Sequence, residues 1–190
     1  HLARRATMKK KYHTLWEQWM TSAIALNNVE PLQFLIPITH GLGKIDAELR
    51  EWEAENLKEQ STRQNGSLEL KMLEFNDKVI QSHLWVLSIY EVIRTLSQKT
   101  KNNPQVFGDA INQKIAKTKH DLEIIRIPLA KLEPRRLKDC TALALPVVFP
   151  DLGLGWRINS EAPGPEIAIS RQELADEVLD LLTSMRDTYK

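Results

Sequence analysis

Apolar positions recur at helical spacing along most of this chain. Glycine and proline are absent from Ser67 to Lys99, and the pattern changes midway through that stretch. Leu68, Met72, Phe75 and Val79 keep helical spacing with polar residues between them. From Leu84 to Leu96 the segment is apolar almost all round, which predicts a buried helix. His83, Tyr90, Glu91 and Arg94 lie in or beside that part, and ionisable groups on a buried helix must be paired. A helix over the whole segment would span about 50 Å, more than the diameter of a small domain. One end is therefore expected to project, to pack on another subunit, or to break near Gln81-Ser82. The amphipathic first half is the expected arm.

The remaining elements follow from the same periodicity. Met8 to Asn27 predicts a first helix with Leu15, Trp19, Ala23 and Leu26 on one stripe. Glu30 to Thr39 is an apolar connector that Pro31 and Pro37 limit to a helical turn or two. His40-Gly41-Leu42-Gly43 is expected to be a flexible joint. Lys44 to Gln64 predicts a second helix, with Ile45, Leu49, Trp52 and Leu57 inward, a charged opposite face, and Asn65-Gly66 as its stop. Phe107 to Leu137 predicts a helix burying Ile111, Ile115, Leu122, Ile125 and Leu129, kinked at Pro128. Short β-like runs follow at Ala142 to Phe149, Gly155 to Asn159 and Ile167 to Ile169, with turn residues Pro150-Asp151, Gly153 and Ala162 to Pro165. Ser170-Arg171-Gln172-Glu173 is a capping box opening the last helix, whose packing stripe is Leu174, Val178, Leu181, Leu182 and Met185. The fold class expected is mainly α: an antiparallel bundle of four to five helices, one of them very long, as a single domain over residues 8–190 with a small β insertion at 141–169.

Composition narrows the function classes. The chain has 190 residues, 42% apolar and 27% charged, as in ordinary globular domains. Net charge is +1, so there is no basic footprint of a general nucleic-acid binder. His1 to Thr7 is expected to be a vector remnant ahead of Met8, and Arg4-Arg5-Ala6-Thr7 has the form of a basophilic kinase site. Cys140 is the single cysteine, which excludes an intrachain disulfide and a cysteine-rich zinc site. No apolar run reaches membrane-spanning length, and a cytoplasmic location without membrane association is expected.

Two polar constellations are the candidate chemistry. On a helix, His83, Tyr90, Glu91 and Arg94 share one side, and Glu91 and Arg94 are spaced to pair. His120, Glu123 and Arg126 form a second stripe, with Lys131 and Glu133 beyond Pro128. Across a helix interface the two would make one polar seam, with Arg126, Arg94, His120 and His83 as candidate catalytic groups. Tyr90, Glu91, Glu123, Lys131 and Glu133 would be the binding groups. Guanidinium and imidazole together suit phosphate binding and acid–base work. The same residues serve equally as a structural network that fixes helix register. No metal site is expected, because His120-Asp121-Leu122-Glu123 has the reverse order of a di-iron motif and Glu-x-x-His occurs nowhere. No cofactor motif is present: Gly153-Leu154-Gly155 lacks the third glycine and the lysine of a phosphate loop.

The segment Arg126-Ile-Pro-Leu-Ala-Lys-Leu132, in an all-helical setting, resembles the HEPN group of helical-bundle proteins. That resemblance implies a dimer in a defence or toxin–antitoxin system, and in ribonuclease members an arginine followed by a histidine. Here Leu132 fills the histidine position, between Lys131 and Glu133. The expected function is a helical interaction protein working as a homodimer or with a protein partner. The alternative is a metal-independent ribonuclease or nucleotide-processing enzyme built on the Arg/His seam, with RNA as a partner.

Overall fold

The computed structural model of the chain describes residues 8–56, 68–131, 135–137, 140–160 and 167–188, leaving aside the side chains of 68–71, 131, 135–137, 140–143 and 159–160. Among these, five α-helices and one four-stranded antiparallel sheet make a mainly α fold. The helices are α1 (Lys10–Ala23), α2 (Leu35–Asn56), α3 (Leu68–Asn102), α4 (Asp109–Lys131) and α5 (Arg171–Thr188). Between α4 and α5 lie β1 (Arg135–Leu137), β2 (Cys140–Phe149), β3 (Gly153–Ser160) and β4 (Ile167–Ser170), in the spatial order of the chain.

The helices pack as a ring: α1 on α2, α2 on α3, α3 on α4, α4 on α5, and α5 back on α1. The sheet covers one side, with β3 touching α2, α3 and α5. One continuous core fills the ring, from Trp19 and Leu26 through Trp85, Ile89 and Ile93 to Ile115, Leu122 and Leu182. Trp19 and Trp85 meet edge to face at 6.4 Å. Every residue of the predicted α4 set, Ile111, Ile115, Leu122, Ile125 and Leu129, is buried, as is the α5 stripe. The capping box forms too: the Glu173 amide donates to Ser170 Oγ and the Ser170 amide to Glu173 Oε2, both at 3.4 Å. Gln172 donates its own amide to the same hydroxyl at 3.0 Å.

Several boundaries differ from the periodic reading, each for a local reason. The first helix ends at Ala23 and tightens into a 3-10 turn at Ile24–Asn28. The second begins at Leu35, not Lys44, because Pro37 falls in the first turn, where a missing N–H costs nothing. His40 to Gly43 is therefore helix, not a joint. Gly43 is there because α1 crosses directly above it: a Cβ would sit 2.3 Å from Trp19 Cβ. His40 ties the same pair of helices, with Nε2 3.1 Å from the Met20 carbonyl. Trp52 is half-buried rather than inward, donating to Glu74 at 2.6 Å and lying against Phe75. Leu57 and the rest of that helix lie outside the described residues. The long helix is unbroken for 35 residues. Its second half is not buried all round, since Leu84 is largely exposed. The fourth helix stops at Lys131 with Pro128 inside it, and Arg135–Leu137 is strand rather than helix.

Candidate functional site

The polar seam forms only in part. Tyr90 packs in the core, and the Arg126 guanidinium from α4 lies over its ring, 5.0 Å from the centroid. Glu91 accepts from Arg94 Nε at 2.6 Å, and its other oxygen is 3.9 Å from Arg126 Nη2. One carboxylate between two guanidiniums leaves the cluster one positive charge in excess. It lies at the surface, its three charged side chains between a third and a half exposed, so Glu91 is not the buried carboxylate expected.

The histidines do not join it. His83 is half-buried beside Trp156, ring centroids 5.8 Å apart. Its Nε2 and the Trp156 Nε1 are both buried with no hydrogen-bond partner among the described residues. Burial pushes the His83 imidazole below its ordinary value, so it rests neutral. Trp156 itself is core, almost wholly covered. His120 is exposed on α4, and neither histidine bonds to Arg126 among the described residues. Glu123 pairs with Lys119 at 3.2 Å. The Lys131 side chain and Glu133 lie outside the described residues.

Beyond the seam, the outward face of α3 is unusually apolar. Met72, Leu73, Ile80 and Leu84 each leave more than half their surface exposed. At about 100° per residue, Leu73, Ile80, Leu84 and Leu87 fall within roughly 60° of one another. Glu91 and Arg94 continue the same face toward the helix C-terminus. The result is one stripe, apolar at its start and charged at its end, with Asp77 exposed on its flank.

A second polar cluster was not anticipated from the sequence, and it is the most buried one. Asp46 and Arg171 are fully buried and Glu53 nearly so. Arg171 Nη1 donates to Asp46 Oδ1, and its Nη2 donates to Glu53 Oε2 at 3.0 Å. Asp46 also accepts from Arg50 Nε at 3.0 and 3.1 Å and from Trp19 Nε1 at 3.2 Å. Glu53 accepts from Gln172 Nε2 at 2.6 Å and from the Leu154 amide at 3.0 Å. Arg50 reaches on to the Gln172 carbonyl at 3.2 Å and Asp176 at 2.7 Å. Nearby carboxylates outweigh burial and hold the Arg50 guanidinium above its ordinary value. Arg171 sits 5.9 Å from the Trp85 ring centroid, and its Nε alone lacks a hydrogen bond. The network thus fastens α1, α2, β3 and the start of α5. A signal existed: Asp46 and Glu53 lie in phase with Leu42 and Leu49 at spacings of three and four, on the face that Leu49 assigns to the core.

Among the described residues no group of three or more His, Cys, Asp or Glu is placed to hold a metal ion. No described helix is long and apolar enough to cross a membrane. Compared with family models, curated proteins and solved structures, the chain matches none.

Proposed function

We propose that this chain is an interaction module that pairs with a second copy of itself through the outward face of α3. The observation carrying this reading is the exposed stripe Leu73, Ile80 and Leu84, continued by the partly buried Leu87. Leu73, Ile80 and Leu84 each leave more than half their surface exposed on that one face, and grouped exposed apolar side chains on single domains mark contact sites. Charge selects a second copy and its direction. In an antiparallel pair crossing at Leu84, Asp77 of one copy faces Glu91 of the other, seven residues the far side of the crossing. Arg94 and Arg126 stand beside that Glu91, and their surplus positive charge meets the exposed Asp77 carboxylate, which has no ion pair among the described residues, at both ends of the interface. A parallel pair sets like charges together instead. The HEPN-like resemblance and a defence or toxin–antitoxin setting belong to this reading as its biological context and rest on the Arg126 segment alone.

Sedimentation over a concentration series tests it. The wild type is expected at about twice 21.9 kDa. Leu84→Arg is expected to be a folded monomer, and Asp77→Lys to weaken pairing about tenfold, or about 1.4 kcal/mol. A monomeric wild type, or a dimer indifferent to Leu84→Arg, overturns the proposal. The enzyme reading retains one observation, the excess positive charge of Arg94 and Arg126 over Glu91. RNA cleavage in EDTA that Arg126→Ala abolishes is the result that would put it first.

A further inference from the structure

A cleft of about 750 Å³ opens on the far side of the buried ion network from the core. Its walls are Lys10, Lys11, Tyr12 and Leu15 of α1, with Arg50, Glu53 and Ala54 of α2. Pro150 and Asp151 of the β2–β3 turn, Gly153 of β3 and Gln172 of α5 also line it, with Thr14 and Gln18 of α1. Its volume falls within the range of small-molecule sites, roughly 300–1,000 Å³.

The lining has a definite polarity. Glu53 is already matched: both oxygens accept hydrogen bonds, from the Leu154 amide on one side and from Arg171 and Gln172 on the other. Gly153 lets that carboxylate come close, at a positive φ of 68°, where a Cβ would lie 2.5 Å from Glu53 Oε2. The Glu53 charge is thus turned into the protein and is not offered to the cleft. Arg50 is charge-matched too, by Asp46 and Asp176, but it keeps unused donors. Its Nε and Nη2 are held by Asp46, Asp176 and the Gln172 carbonyl, which fixes the guanidinium plane. Its Nη1 has no hydrogen-bond partner among the described residues, leaving two donors on a side chain that lines the cleft. Lys10 and Lys11 of α1 line the same cleft, the Lys11 ammonium lying over the Tyr12 ring, 5.5 Å from its centroid. Asp151 is the one lining carboxylate not already hydrogen-bonded among the described residues. Tyr12, Leu15, Ala54 and Pro150 supply the apolar surface between.

We infer that this cleft binds a small organic anion, one carboxylate or phosphate group on an apolar body. The anionic group sits between Arg50 Nη1 and the two lysines, where a planar guanidinium edge matches two acceptor oxygens. The apolar body rests on Tyr12 and Leu15. The site is independent of the α3 face.

The test is an amide-resolved NMR titration of the full chain with benzoate, phenyl phosphate, inorganic phosphate and benzyl alcohol. Benzoate or phenyl phosphate is expected to shift the amides of residues 10–18, 50–54 and 151–153 saturably, and the stronger of the two identifies the anionic group. Inorganic phosphate is expected to bind more weakly, and neutral benzyl alcohol to leave those amides unmoved. The exposed double change Lys10→Glu with Lys11→Glu is expected to weaken binding about tenfold or more, with circular dichroism unchanged. Asp151→Asn is expected to strengthen it. Benzyl alcohol binding as well as benzoate, shifts confined to other regions, no shifts at all, or binding indifferent to the lysine reversal each overturns the inference.

Discussion

At the scale of single residues, two glycines three turns into the same story show what the close approach of α1 and α2 demands. Gly41 and Gly43 both lie inside α2, where alanine is the better helix former by about 1 kcal/mol. A methyl group at Gly41 meets nothing within 4 Å, whereas one at Gly43 runs into the Trp19 side chain. Gly41→Ala is therefore expected to stabilise the fold by up to about 1 kcal/mol. Gly43→Ala is expected to destabilise it, since overpacking of about 1–3 kcal/mol outweighs the propensity gain. Urea unfolding of the two variants measures the contrast, and stabilisation by both would mean that α1 does not cross at Gly43. No pattern of apolar residues announces such a contact. A glycine that admits a neighbouring tryptophan looks, in sequence, like a glycine that breaks a helix, which is why His40-Gly41-Leu42-Gly43 reads as a joint in the sequence and is helix in the fold.

At the scale of elements, the buried ions govern how the last helix docks. Leu174, Val178, Leu181, Leu182 and Met185 give α5 its apolar stripe, and Ser170 with Glu173 sets its first turn. Neither fixes its register against α2. Arg171 does, by bonding Asp46 and Glu53, two turns apart on α2. Removing one partner leaves the others as uncompensated buried charge, which costs about 3–5 kcal/mol. Asp46→Ala is expected to fall at or below the low end of that range, because Arg171 keeps Glu53 and Arg50 keeps Asp176 while each loses one carboxylate and the Trp19 N–H loses its acceptor. Arg171→Met in the same background is expected to cost little more, giving a coupling of at least about 1 kcal/mol in a double-mutant cycle. Simple additivity of the two changes would show that the ions do not act as a unit. Elements with an unbroken period, α3, α4 and α5, were legible from apolar spacing, as were the three longer strands. The network was not, because Asp46, Arg50 and Glu53 are charged, and charge on an amphipathic helix ordinarily faces water. Only their partner, about 120 residues along the chain, reverses that expectation. The seam was half legible for the converse reason. Glu91, Arg94 and Arg126 sit on adjoining helices at matching heights, while His83 lies beside Trp156 and His120 is exposed on α4.

At the scale of the whole molecule, α3 is longer than the core that holds it. The ring of five helices encloses Trp85, Ile89, Ile93 and Leu96, so the second half of α3 is held on several sides. Its first half meets α2 through the Trp52 side chain, which bonds Glu74 and lies against Phe75, while Met72, Leu73 and Ile80 face outward. Isolated helical turns gain little stability without a packed face. Hydrogen exchange should then divide the helix. In the Leu84→Arg monomer, amides of residues 72–80 are expected to exchange well ahead of those of residues 85–96, whose opening requires the core to open. In the wild-type dimer the same early amides are expected to slow together, with protection rising as protein concentration rises, because a second α3 covers them. Residues 85–96 are expected to change little between the two. Equal protection of both halves in the monomer would mean that the arm is stable without cover, and the excess length of α3 would then no longer call for a second copy.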